Sequence, residues 1–129
     1  MEDAGAKAVA TSSAAVAWAH GWPDGDRLPV ELLLQTTRAV AGATTLPVTV
    51  DIEGGYSDEP ARVGDLAAAI LAAGAAGINI EDGSKDPALL CAKIAAARAA
   101  DAAAGVDLYI NSLLQKSKHS LPLLRQVRC

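Results

Sequence analysis

Four short runs of small and β-branched residues, Ala6–Ala10, Leu46–Ile52, Gly77–Ile80 and Val106–Ile110, alternate with helical segments along this 129-residue chain. Nothing else in the sequence restricts the fold as strongly. Each run is short, apolar on both faces and bounded by turn residues, as expected of buried parallel strands. The segments between them carry helical signals. Pro29 opens a segment to about Ala41 with Glu31 in its first turn, Pro60 opens one to Ala73 followed by Gly74, and Pro87 opens one to Ala104 followed by Gly105. Proline at the first turn and glycine just past the last are the usual boundary residues of a helix. A shorter helix is expected over Ala14–His20. After the second run the starts recur at roughly 30 residues, the length of a βα unit. Strand, helix, strand repeated in this way implies parallel pairing through right-handed crossovers. The fold class is therefore α/β. Two architectures remain: a slice of a (β/α)8 barrel with about four units, or a small open doubly wound sheet.

The ends of the runs are chemically unequal. The first is followed by Thr11-Ser12-Ser13, the second ends in Asp51-Ile52-Glu53-Gly54-Gly55-Tyr56, the third in Asn79-Ile80-Glu81-Asp82-Gly83, and the fourth in Tyr109-Ile110-Asn111. In a parallel α/β fold the C-terminal strand ends share one face, so hydroxyls, carboxylates and an amide converge on one rim. Carboxylates crowded together repel unless one is protonated or a cation lies between them. Hard oxygen donors without His or Cys suit Mg2+ or Mn2+. Gly54 and Gly55 would let backbone N–H groups approach an anion. Any single acid of this kind also has a plain role as a helix cap or a solvated loop residue.

Composition removes several function classes. Residues 1–111 hold all 15 acids and 7 of the 11 Lys and Arg, a net charge of −8, and carry no basic stripe for nucleic acid. No run approaches the ~18 apolar residues of a membrane span, and the acidic N-terminus is unlike a secretory signal. Cys91 and Cys129 have no metal or redox spacing. These features predict a reduced, cytoplasmic chain without nucleic-acid or membrane partners, with Cys91 as a buried structural thiol. The charge changes sharply near the end. Residues 112–129 contain Lys116, Lys118, Arg125 and Arg128, no acid, and a net charge of +4. The expected organisation is an α/β domain over 1–111 and a basic, solvated tail over 112–129. Trp18 and Trp22 are expected to anchor packing, and His20 to sit as a cation at a helix C-terminus.

The stretches LPVTVDIEGGYSDEP, AGAAGINIEDG, KIAAARAA and GVDLYIN, in that order, with ATSSAAVAWAHGWPDGD before them, resemble the isocitrate lyase / phosphoenolpyruvate mutase superfamily over roughly residues 5–111. The resemblance implies a (β/α)8 barrel. It implies small 2-oxo acids or related carboxylates as substrates, C–C or P–C bonds made or broken through a Mg2+-stabilised enolate, and an assembly of several copies. Its D-x-D-x-G-[YF] strand falls on Asp51, Glu53, Gly55 and Tyr56, making Asp51 and Glu53 metal-holding, directly or through water. Its E-D motif falls on Glu81 and Asp82, with Glu81 toward the metal. Its serine-led turn falls on Ser12 and Ser13, where amides would meet substrate, and its loop aspartate falls on Asp24 in GWPDGD as the catalytic candidate. With Gly54, Gly55, Tyr56 and Asn111 these complete the implied substrate site. The chain departs from the pattern at three places. Glu53 replaces a common Asp, the lyase K-K-C-G-H does not follow Glu81-Asp82, and Leu113 stands where Y-I-N-A-R-T-D has its carboxylate-binding Arg. Those departures predict a shortened chain that is inactive alone. The alternative is a non-catalytic module that acts only by association.

Overall fold

The computed structural model describes residues 4–114. In chain order the elements are β1 (Val9–Ala10), α1 (Ser13–Ala19), α2 (Val30–Gly42), β2 (Val48–Asp51), α3 (Pro60–Ala72), β3 (Gly77–Glu81), α4 (Pro87–Ala104) and β4 (Tyr109–Leu113). The four strands form one sheet in the order β1-β2-β3-β4, and every pairing is parallel. A doubly wound sheet reverses its strand order at a switch point. Here spatial order equals chain order, so the architecture is that of a partial (β/α)8 barrel and the doubly wound alternative falls away.

Helix boundaries follow local chemistry. Pro60 and Pro87 occupy the first turns of α3 and α4, where the missing N–H costs nothing. Asp86 caps α4 by accepting the Ala88 N–H at 2.9 Å. Gly105 ends it in the left-handed conformation at φ 67°. Pro29 stands one position earlier than expected, as the residue before α2 begins. The first strand is shorter than Ala6–Ala10, with only Val9 and Ala10 paired, to Val48 and Thr49. The fourth is shifted. It begins at Tyr109 rather than Val106, which is exposed, and runs through Ser112 and Leu113, paired with Ile80 and Glu81. Most of the basic tail lies outside the described residues.

The strands are not apolar on both faces. Val48, Val50, Ile52, Ile78 and Ile80 are buried against the helices, where Leu33, Val63, Leu66, Ile70 and Leu90 meet them. The alternate positions Thr49, Asp51, Asn79 and Glu81 are half-buried and polar. Successive side chains on a strand point to opposite faces, so the sheet has an oily face under the helices and a polar one opposite. The aromatics also depart from expectation. Trp18 is 69% and Trp22 41% exposed, so neither anchors the core. Cys91 is half-buried on α4 and is not a free thiol. Among the described residues no helix is long and apolar enough to cross a membrane.

Candidate functional site

The register of the sheet aligns the polar face into a row. Asp51 is the partner of Asn79, and Asn79 the partner of Asn111. Partnered residues of parallel strands place their side chains on the same face. The Asn111 Nδ2 donates to Asn79 Oδ1 at 3.1 Å, and the Asp51 N–H donates to Thr11 Oγ1 at 3.1 Å. A polar belt thus runs across the C-terminal half of the sheet, from the end of β1 to β4. One step further along β3, Glu81 is partnered by Leu113.

Asp51 ties two segments together. One carboxylate oxygen accepts the Ser13 N–H at 3.2 Å, and the other accepts the Glu53 N–H at 3.0 Å. Ser12 makes no side-chain bond as N-cap of α1. The acid of the neighbouring strand supplies the acceptor instead, where a helix N-terminus favours negative charge. Ser13 therefore reaches the rim through its backbone, already engaged with Asp51, while the Ser12 side chain is exposed.

After β2 the chain turns tightly, with the Gly55 N–H bonded to Ile52 O at 2.8 Å. That N–H is spent within the turn. Gly55 sits at φ 90°, and a Cβ there would approach Val63 Cγ2 at 3.0 Å. The glycine is required by conformation and by packing together. Glu53 is 5% exposed and has φ 52°. Its carboxylate accepts the Asp26 N–H on one oxygen and the Tyr56 hydroxyl, at 3.3 Å, on the other. Burial pushes the Glu53 carboxyl above its ordinary value, with Asp26 and Asp24 adding repulsion and the Asp26 and Gly25 N–H groups opposing. Burial and the adjacent Glu53 likewise push the Tyr56 phenol up, so it remains a donor. Asp24 is exposed on the loop between α1 and α2, close enough to Glu53 to act on its charge.

Two residues outside the expected set join the rim. Asp26 accepts the Tyr56 N–H on Oδ1 at 3.1 Å. Lys93, on α4 and 3% exposed, donates to Gly54 O at 2.7 Å and pairs with Asp58 at 3.3 Å. Asp58 also meets Lys85 at 2.6 Å, and these two cations, Lys85 foremost, hold its carboxyl below the ordinary value. Asp82, expected as the second acid of its motif, is buried and accepts the Ser84 N–H at 3.2 Å, shaping the loop after β3. His20 ends α1, its Nε2 2.9 Å from Thr36 Oγ1.

The donors of this rim are oxygens. Asp51 retains lone pairs beyond its two N–H bonds, since each carboxylate oxygen accepts more than one. Among the described residues, no three His, Cys, Asp or Glu side chains are grouped tightly enough to hold an ion between them. Oxygen donors of this kind suit a hard divalent ion, but among the described residues they form no ready-made cage for one.

Comparison with known proteins places this geometry among relatives. The sequence profile described as phosphoenolpyruvate phosphomutase matches residues 1–114. A protein from Burkholderia cenocepacia J2315, described as a phosphonomutase, superposes with a TM-score of 0.82 at 44% identity over 88% of this chain and 48% of its own. A second from the same organism, described as a lyase/mutase, gives 0.77 at 29% identity over 87% of this chain and 42% of its own. A phosphonopyruvate hydrolase, solved with oxalate and Mg2+, gives 0.73 at 27% identity over 86% and 42%. The chain thus spans about half the length of the structures it resembles. Among curated proteins, none matches it.

Proposed function

This chain belongs to the phosphoenolpyruvate phosphomutase family, whose relatives include mutases, hydrolases and lyases, and from that premise we propose that its polar rim receives a small 2-oxo acid or related carboxylate with Mg2+ or Mn2+. The observation that carries this reading is the belt of Asp51, Asn79 and Asn111 with Glu81 one step beyond, all at the C-terminal ends of adjacent parallel strands. Asp51 and Glu81 would face the ion, and Glu53 would act directly or through water from its bonds to the Asp26 N–H and the Tyr56 hydroxyl. A bound divalent ion would supply charge stabilisation for an enolate oxygen. The chain's own residues do the rest. Asn111 and Asn79 present amides to a polar ligand. Ser12, Ser13, Gly54, Gly55 and Tyr56 shape the wall around it. Asp24, exposed on its loop, is the group available to move a proton. Leu113 beside Glu81 offers a substrate carboxylate no bidentate partner.

Titration with Mn2+, followed by electron paramagnetic resonance, tests the reading. Saturable binding that weakens at least tenfold in Asp51→Asn is expected. Equal binding by wild type and variant would remove the ion from this rim. A second reading, association without catalysis, is favoured by β1 and β4, each paired on one side only among the described residues, and by Tyr109, 62% exposed on β4. Oxalate binding at the rim separates the two readings, because only the first requires it.

A further inference from the structure

Two loops of the rim are clamped to each other by reciprocal bonds. The loop between α1 and α2 gives the Asp26 N–H to the Glu53 carboxylate, and the loop after β2 gives the Tyr56 N–H to the Asp26 carboxylate at 3.1 Å. The Tyr56 hydroxyl, on Glu53 at 3.3 Å, braces the second partner from the same side. All three residues adopt left-handed backbone, with φ of 56°, 52° and 58° for Asp26, Glu53 and Tyr56. Side-chained residues enter that region at a cost and stay only where surrounding bonds hold them. The approach is close enough to dictate a neighbour. A Cβ on Gly54 would lie 2.7 Å from Asp26 Oδ2. The clamp holds although Asp26 and Glu53 are both acids, so its bonds outweigh that repulsion.

We infer that Asp26 is a positioning residue that clamps the α1–α2 loop to the post-β2 turn and so holds Asp24 over the rim. Asp24 lies two residues before Asp26, with only Gly25, at φ 98°, between them. Asp26→Ala removes the Tyr56 N–H half of the clamp, whereas the backbone N–H groups of Gly25 and Asp26 hold the segment only through the Glu53 carboxylate, which Glu53→Asp withdraws. The arm length of residue 53 belongs to the same device, because Glu reaches the Asp26 N–H where the shorter Asp of the resembled motif would stop about one bond short. The part assigned to Asp24 rests on the proposed function, whereas the clamp does not.

Trp22 reports on this loop directly. In a Trp18→Phe background it is the sole tryptophan, and Trp18 is exposed enough to replace without disturbing the core. Acrylamide quenching of Trp22 is measured in the full chain carrying Asp26→Ala, Asp26→Asn or Glu53→Asp, with far-UV circular dichroism confirming an unchanged fold. Asp26→Ala and Glu53→Asp are expected to raise the quenching constant about twofold as the loop loosens. Asp26→Asn, which keeps an acceptor for the Tyr56 N–H, is expected to leave it unchanged. Unaltered quenching in Asp26→Ala, or an Asp26→Asn that behaves like Asp26→Ala, would overturn the inference. Mn2+ titration of the same proteins reads the proposed function separately, so loss of ion binding and loss of the clamp are told apart.

Discussion

Asp51 holds two segments by their backbone N–H groups while standing first among the candidate ion ligands, so replacing it has two effects. Asp51→Ala should cost about 1–2 kcal/mol in urea denaturation, because it uncaps α1 and frees the Glu53 N–H. Asp51→Asn retains an acceptor oxygen and should lose most of the ion affinity with less of the stability, which makes it the cleaner probe. Asp58 behaves differently. Lys85 and Lys93 depress its folded-state value below 3.8, so its contribution is present above that unfolded value and is lost as pH falls through the depressed one. The melting-temperature advantage of wild type over Asp58→Asn should therefore be level from neutral pH down to about 3.8 and vanish in more acidic solution. An advantage that grows with acid would contradict the ion pairs. At this scale the sequence exposes Asp51, Glu53 and Glu81, because acids ending consecutive strands stand out against apolar runs. It does not expose Asp26 or Lys93. Their partners lie 27 and 39 residues away, and only the folded chain brings them together.

The elements were the most readable level, for a physical reason. Proline and glycine act through their own backbone restrictions, so Pro60, Pro87 and Gly105 mark helix ends without help from tertiary structure. Strand limits depend on pairing instead. Val9 and Ala10 alone find partners in β2, and β4 continues into Leu113 because β3 offers Glu81 opposite. Aromatic area suggests burial for Trp18, yet on α1 it is 69% exposed. The contact between α3 and α4 was also unreadable, since a glycine inside a helix has several explanations. Here Gly64 admits the α4 backbone, and a Cβ would stand 3.0 Å from Ala96 O. Gly64→Leu should lower stability by about 1–3 kcal/mol despite its better helix propensity, measured from the denaturant midpoint. A gain would mean that the helices separate cheaply.

At the scale of the molecule, the chain carries a rim built by adjacent strands, and among the described residues the outer strands β1 and β4 are each paired on one side only. Electrostatic preorganisation requires a site from which water is excluded, and these edges leave the rim accessible. Purified alone with Mg2+, the 129-residue chain is expected to turn over neither oxaloacetate nor phosphonopyruvate; turnover that disappears in Asp51→Asn would show that association closes the site. The same edges should make the apparent molar mass from light scattering rise with protein concentration. The agreement between strand order and chain order bears on synthesis as well. Among the described strands, each one after β1 meets a neighbour that has already been made. β2 finds β1 already emerged, β3 finds β2, and β4 finds β3, each after a separation of a few tens of residues whose closure entropy grows only logarithmically. Structure can therefore accrue from the N-terminus as a growing template, and a pause in translation after any unit leaves a smaller version of the same sheet with its newest strand as the site of the next addition.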